Sequence, residues 1–590
     1  MAAERALEGL QTARSADPEA YSQPKAFNEK TVNLDTSDGS DRGSSEEELE
    51  KDAQAGVRAV EAATSVWTKT HLWTAYANIW LIYCVISIQE PVVRAMNPYV
   101  TSAFSLHSLT AATGIVSSIV SGLSQIPLAK ILDTWGRPQG IALSMLIWDI
   151  GYIMMAATDS VEMYAAAQVF ASVGQTGVSY SMTVFISDTS HLKNRALMLA
   201  FATTPYIFTT WAGGPLAQST LNTIGWRWAF GIFTIVLPIV VLPLAGLLYW
   251  NQRKAQRAGL IEAQYIRVNA TSIKNYAIEV DLLGVLILAA GLALFLLPFS
   301  LWSYQADEWK SPMIICMIIF GGLLIIGFVL YERYFAIKTF IPFNLLLDRT
   351  VIAGGIMFVF VFFNHSIWGS YFGSMLQVVW GLSVTEASYL TSIRRVGQCF
   401  FGVAVGAMIK FSGRFKWIAL SFGIPLMMLG TGLLIPFRTP GTNIGLIAMT
   451  QIFLSFSSGA VVLTGEIAMM APGGHQHVAV TLACLNLFCS IGSAIGQTVS
   501  SAIWTGSFPQ ALARELPEGS DVITIYGKLT EQLAYPLGSP ERDGIIRAYG
   551  HSQRLMLITS LGGLAGACIA VCCWRNIKVK DHKQVKGLVA

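Results

Sequence analysis

Residues 88–96 read "IQEPVVRAM", two opposite charges inside an apolar run. Glu90 and Arg94 are four residues apart, so on a helix they share a face and can meet. A charge at the centre of a membrane-crossing helix costs about 2.5–3.5 kcal/mol, which makes each such group a candidate for function. Two readings of the pair are open. It can neutralise itself and only pack, or protonation of Glu90 can release Arg94 to another partner and so couple proton entry to a change of shape. The same criterion selects Asp149, His365, Arg394, Arg395 and Glu466. Glu90, Asp149, His365 and Glu466 are therefore the candidate proton-coupling groups. Each of the last three has a plainer reading: Asp149 hydrogen-bonded to Tyr152, His365 hydrogen-bonded within an aromatic helix, and Glu466 an anchor near the cytoplasmic end of its span. Imidazole titrates near neutral pH, which keeps His365 on both lists.

A second group lies in "MFVFVFFNHSIWGSYFGSMLQVVWG", residues 357–381, with Phe358, Phe360, Phe362, Phe363, Trp368, Tyr371 and Phe372. Such a stripe either packs and faces lipid or lines a pocket for a bulky, partly apolar ligand with Asn364, His365 and Tyr371 as polar handles. The candidate ligand contacts are Arg94, Phe363, Asn364, Trp368, Tyr371, Arg394 and Arg395. His475 and His477 are too few for a metal site, and no other Cys/His spacing suits one. No P-loop, dinucleotide fingerprint or catalytic triad spacing stands out. Neither an enzyme nor a cofactor is expected.

The elements that must hold these groups follow from composition. Of 590 residues 53% are hydrophobic and 13% charged, with a mean hydropathy of +0.52. A soluble domain averages about 25% charged residues, so most of this chain does not face water. The net charge of +3 is too small and too scattered to argue for nucleic acid. Apolar runs long enough to cross a bilayer predict an all-α polytopic chain with fourteen spans. Six lie near 73–96, 106–131, 138–158, 161–187, 195–221 and 226–250, a linking pair near 280–302 and 312–332, and six near 350–379, 385–411, 415–437, 443–470, 476–505 and 553–574. The expected organisation is a disordered cytoplasmic tail (1–70), an N-terminal bundle (71–250), a basic loop (251–278), two linking helices (279–333), a C-terminal bundle (334–574) containing an outer loop at 506–552, and a cytoplasmic tail (575–590). All eight cysteines fall in apolar runs and read as small buried hydrophobes.

With the N-terminus inside, the inner loops and C-tail collect twenty lysines and arginines against seven outside, counting Arg227, Lys310 and Arg438 as outer. The positive-inside rule then places both termini in the cytoplasm. The sequon at Asn269 falls on the same side, and the long loop falls outside. Long ordered loops are often functional; this one has helix-like pieces at Phe508–Leu516 and Ile523–Leu533, and Tyr526, Tyr535, Arg542 and Tyr549 are the candidate gate residues there.

The turn between the second and third spans reads "SQIPLAKILDTWGRPQG" (124–140). It resembles the major facilitator superfamily loop Gly-x-x-x-Asp-x-x-Gly-Arg, with Asp133, Gly136 and Arg137 matching and Ala129 where the pattern has glycine. The resemblance implies that Asp133 and Arg137 latch one conformation through contacts with neighbouring helices. A charge-assisted Arg–carboxylate contact at a helix end is strong and can be remade. "NPYVTSAFSLHSL", "FISDTSHLKNRAL", "GGHQHVAVTLACLNLFCSIGSAIGQTVSSAIWTGSFPQAL" and "YPLGSPERDGIIRAY" are similar to fungal siderophore–iron transporters over about 73–574. "AGGPLAQ" is a fragment of an antiporter-type motif and does not decide direction.

That resemblance implies two six-helix bundles plus two linking helices, working by alternating access around a midplane cavity. It implies uptake of ferric siderophores, of hydroxamate type, by proton symport. The expected partners are the ferric siderophore, protons and the lipid bilayer, with a monomer in the plasma membrane. Endosomal or vacuolar membranes are the other placements. Fungal relatives that exchange glutathione for protons share much of the pattern, so a proton-coupled antiporter of glutathione or drugs is the alternative. A receptor that binds without transporting has little reason to bury Asp149.

Overall fold

The computed structural model describes residues 67–190, 192–259, 270–336, 348–472 and 478–578, with backbone only at 133–134, 192–196, 270–273 and 478–480. The tail to residue 66, the sequon at Asn269, His475, His477, the C-tail beyond 578 and the side chain of Asp133 lie outside the described residues. Everything described is helix, turn or connection, with no strand. A continuous or broken helix occupies each of the fourteen expected positions. Among the described residues 11 are long and apolar enough to cross a membrane. The other three are polar or broken, and they include the helices carrying Gln175, Tyr206 and the Arg394–Arg395 pair.

The first bundle consists of α1 (Lys69–Ala103), α2 (Ala112–Thr134), α3 (Arg137–Ala157), α4 (Val161–Asp188), α5 (Leu192–Ala202), α6 (Gly213–Thr223) and α7 (Trp226–Arg257). Between α5 and α6 a short helix, Pro205–Thr209, breaks the fifth position. A core of Ile79, Ile86, Trp148, Tyr152, Tyr164, Phe230 and their neighbours holds most of this bundle together. Helix α8 (Ala270–Glu279) follows and is tied to α2 by a 2.8 Å Lys130–Glu279 ion pair. Then come the linking helices α9 (Leu282–Leu296) and α10 (Pro312–Tyr334). The second bundle holds α11 (Arg349–Gly369), α12 (Phe372–Trp380), α13 (Val384–Ser412), α14 (Ile424–Phe437), α15 (Ile444–Met470), α16 (Val478–Glu515) and α19 (Pro540–Cys572), around a core that includes Met357, Phe358, Val461 and Leu564. Ala129, Leu132, Tyr180 and Val184 of the first bundle join that core, so the bundles share apolar packing.

The turn that opens α3 is built as its sequence suggests. Gly136 sits at φ 106°, a conformation that a side chain resists, and Pro138 occupies the first turn of α3, where its missing N–H costs nothing. Arg137 Nη2 reaches Asp188 Oδ2 at the end of α4, 3.2 Å away, so this contact lies within the first bundle.

The outer segment is more helical than a loop. Helix α16 continues to Glu515 and α19 begins at Pro540, well before the expected 553. Ser539 caps α19 by accepting from Arg542 N at 3.2 Å, with Pro540 next in line. What remains, residues 516–539, carries α17 (Val522–Gly527) and α18 (Leu529–Ala534). The cysteines divide: Cys399, Cys484 and Cys489 are buried, whereas Cys316, Cys572 and Cys573 are exposed. An apolar run facing outward on a membrane helix exposes its thiols as readily as its leucines.

Candidate functional site

A cavity of about 340 Å³ opens between the bundles beneath the outer segment. The C-terminal half of α1 contributes Pro91, Arg94 and Asn97, the turn before α2 contributes Thr110, and α2 contributes Gly114. Across from them stand His365 and Trp368 of α11, Gln377 of α12, Ser388, Thr391 and Arg394 of α13, and Gln497 of α16. No carboxylate lines it among the described residues. Arg394 Nη2 donates to His365 Nε2 at 2.9 Å. Arginine only donates, so Nε2 accepts and the ring carries its single proton on Nδ1.

One turn before Arg94, the carboxylate of Glu90 is held by three groups. Tyr206 Oη donates to Oε1 at 2.9 Å, Gln175 Nε2 donates at 3.3 Å, and Arg395 Nη2 lies 3.6 Å away. Arg395 also donates to Tyr206 Oη at 3.3 Å and stacks on its ring, 4.6 Å from the centroid. Glu90 therefore pairs across the bundles with Arg395 and not with Arg94. The local spacing made Arg94 possible, but the partner that reaches the carboxylate comes from α13. Arg94 is exposed into the cavity and makes no hydrogen bond or ion pair among the described residues.

The remaining candidates disperse. Asp149 lies on α3 away from the cavity, with Oδ1 buried and unpartnered. Tyr152, its expected partner, instead accepts from Gln89 Nε2. Glu466 lies deeper along α15, outside the cavity lining. Phe363 packs against α16 and α19 near Gly496 and Gly563. Asn364 is buried and donates to the Ser560 carbonyl at 3.2 Å while accepting from Trp368 Nε1 at 3.4 Å. Of the aromatic stripe, Trp368 and Phe372 line the cavity, whereas Phe358 is core.

Tyr371 stacks on Trp504 at 4.1 Å between centroids, Trp504 on Phe508 at 4.0 Å, and Tyr549 meets both edge-on. This column carries the outer segment. Tyr549 Oη donates to Gln532 Oε1 at 2.8 Å, and Tyr526 packs on Phe508. Arg542, only 3% exposed, donates to the carbonyls of Val378 at 2.9 Å, Gln377 at 3.2 Å, Tyr535 at 3.3 Å and Gln532. Two of these carbonyls close α12, whose C-terminal end attracts a cation. The segment is thus fastened to the second bundle. It also packs on the first bundle: Ile525 and Leu529 are buried in one apolar cluster with Ala111, Leu529 N donates to Ser102 Oγ at 3.0 Å, and Gly527 sits so close to the Ser105 carbonyl that a Cβ would lie 2.8 Å from it.

Arg438, read above as an outer-loop charge, is 2% exposed. It donates to Gln553 Oε1 at 2.9 Å and to the Trp368 carbonyl at 3.1 Å, and lies 3.9 Å from the Phe372 ring centroid, bracing the aromatic wall from behind. Tyr206 and Gln175 escaped the sequence reading because they are uncharged. A search for polar side chains on the helices with charged partners would have raised them.

Residues 79–376 match the Major Facilitator Superfamily. The chain is 53% identical to MFS siderochrome iron transporter 1 of Ajellomyces capsulatus over 92% of its own length and 93% of that protein's. It is 41% identical to MFS siderochrome iron transporter D of Aspergillus fumigatus, covering 91% of this chain and 90% of the relative. In fold it is similar to an inward-facing, occupied crystal structure of a bacterial homologue of the human lysosomal transporter Spinster, with a TM-score of 0.50 and 17% identity over 86% of this chain and 97% of that one. Two bundles joined by linking helices, a cavity between them and relatives that match from end to end place the chain in the major facilitator superfamily, among its fungal siderophore–iron transporters.

Proposed function

We propose that the protein imports ferric siderophores of the hydroxamate type by proton symport, exposing its cavity alternately outward and inward. The observation that carries this reading is the Glu90–Arg395 ion pair, which joins the bundles one turn from the cavity cation Arg94. The names of the full-length relatives supply the cargo class. In a ferric hydroxamate the siderophore fills the six iron sites, so the protein recognises the organic shell and supplies no metal ligand. The cavity, at about 340 Å³, is near the lower end of ligand sites. A bulky chelate is therefore loaded in a wider state, with the outer segment lifted.

A proton arriving on Glu90 removes the anion that Arg395, Tyr206 and Gln175 hold. The tie between α1 and α13 then weakens, and the bundles can rock about the cavity. Release of the proton to the cytoplasm restores the tie. The protein works as a monomer in the plasma membrane with both termini in the cytoplasm.

The test is uptake of radio-iron on several ferric hydroxamates by cells stripped of their own siderophore transporters. Accumulation of at least one chelate, abolished by a protonophore, is expected. No accumulation from protein shown to be at the surface would overturn import, and accumulation indifferent to the protonophore would overturn proton coupling.

A further inference from the structure

Three hydroxamates neutralise one ferric ion, so the core of such a chelate carries no net charge. The cavity does not match that neutrality. Arg94 projects into it without a partner among the described residues. Arg394 contributes a second guanidinium, engaged only with neutral groups: His365 at 2.9 Å and Ser458 Oγ at 3.5 Å. With Nε2 accepting from Arg394, the N–H of His365 is at Nδ1, a buried atom with no hydrogen-bond partner. The nearest acid, Glu90, is already held by Arg395. Two guanidiniums thus meet one cavity whose lining holds no carboxylate among the described residues, and the acid whose field reaches both, Glu90, is engaged by Arg395. An uncompensated cation withdrawn from bulk water is costly, and guanidinium is the side chain best matched to a carboxylate, which it can hold through two parallel hydrogen bonds.

We propose that Arg94 and Arg394, the latter held by His365, form an anion subsite, and that the preferred cargo is a ferric hydroxamate chelate whose organic shell carries a carboxylate. The inference rests on the import reading above. Arg94, exposed in the cavity, takes the carboxylate. Arg394 supplies field and a further N–H. Neutral neighbours such as Ser388, Thr391 and Gln497 are placed to hydrogen-bond amides elsewhere on the shell. Chelates with the same iron core but no charge lose the carboxylate contact, and those with an ammonium meet repulsion.

The test uses one linear ferric trihydroxamate with a terminal amine, left free, acetylated or succinylated, which gives a cation, a neutral complex and an anion around one iron core. Unlabelled forms compete with uptake of radio-iron supplied on the acetylated form. The succinylated form is expected to compete about tenfold better than the acetylated one, and the free amine worst. In Arg94→Gln and in Arg394→Gln the ratio falls to about one, while Arg94→Lys keeps part of it. The ratio is read within one protein, so low expression does not imitate the effect. Competition for binding to membranes gives the same ratio where a variant fails to transport. Equal competition by all three forms, with uptake of the acetylated chelate intact, overturns the subsite and leaves import standing. No uptake of any form overturns import itself.

Discussion

Replacing Glu90 by Gln keeps the shape of the side chain and fixes it in the uncharged form. If Glu90 carries the coupling proton, Glu90→Gln should abolish accumulation against a gradient while chelate exchange across the membrane continues, and residual uptake should ignore a protonophore. Uptake in Glu90→Gln that still collapses with the protonophore would sink the assignment. The Arg395 and Glu90 side chains are 38% and 22% exposed. Solvent therefore screens the pair, and its loss should cost about 1 kcal/mol of stability, not the ~3–5 of a fully buried pair. Asp149→Asn, remote from the cavity and from this network, should keep more than half of the uptake at equal surface expression; a loss as deep as that of Glu90→Gln would return Asp149 to the proton path. Charged residues in apolar runs were legible in the sequence because insertion makes them rare. Their partners were not. Helical spacing exposes only a local neighbour such as Arg94, while Arg395 and Tyr206 reach Glu90 from other helices. Arg438 was misread for a related reason: a guanidinium beside a turn looks solvated until Gln553 and Trp368 are seen around it.

At the scale of elements, most of the helices were legible because length and apolarity dictate them. The early start of α19 and the unbroken run of α16 into its helix-like piece at 508–516 were not, since polar residues there still continue a helix once the bilayer no longer demands apolar ones. The segment between these two helices is the lid of the proposed cycle. Arg542 and the Tyr371–Trp504–Phe508 column fasten it to the second bundle, while Ile525 and Leu529 pack with Ala111 and Tyr99 and Leu529 N bonds Ser102 on the first. Opening of the proposed lid would break the second set of contacts and keep the first. The double substitution Ser102→Cys and Leu529→Cys should therefore form a disulfide under oxidant that arrests uptake, with reductant restoring it. Uptake unchanged in protein shown to be cross-linked would mean that the lid need not move. Arg542→Ala, which leaves four carbonyls without their shared donor, should cut uptake by about tenfold and make the segment sensitive to external protease. Within the lid, Asp521 accepts from Thr524 N at 3.1 Å and from its hydroxyl at 2.6 Å, which holds its carboxyl below the ordinary carboxylate range. A depressed pKa contributes stability above the unfolded value and loses it only as pH falls through the folded one. Any change of uptake between about pH 5 and 7 must then originate elsewhere than in this cap.

For the whole molecule, the two-bundle plan follows from apolar runs, and the expected orientation from the placement of lysine and arginine, but the fit of one bundle to the other does not. That fit depends on small residues whose significance appears only in three dimensions. Gly122, midway along α2, faces Ser490 of α16; a Cβ at Gly122 would lie 2.3 Å from the Ser490 Cβ. Nearer the outside, Ser118 Oγ donates to Gln497 Oε1 at 3.4 Å, and toward the inside Asn486 Nδ2 donates to Gln125 Oε1 at 3.5 Å. The tightest approach in this seam is at its middle, where the backbone of α2 meets Ser490, and at Gly114 nearer the outer end a Cβ would still lie 2.9 Å from the flexible Gln497 side chain. In the proposed alternating access a pivot stays in contact as the two ends open in turn, and the Gly122–Ser490 approach is the candidate for it. Overpacking a close contact costs about 1–3 kcal/mol, and at the pivot the cost falls on both the outward and the inward state. Gly122→Val should therefore reduce uptake to below about a tenth at normal surface expression, without altering which chelate competes best. Adding Ser490→Gly vacates the space that the new side chain needs and should recover at least half of the loss. Full activity of Gly122→Val alone would show that α2 and α16 separate freely at this level, and the pivot would then have to lie on the opposite seam, where Gln218 Oε1 accepts from Thr385.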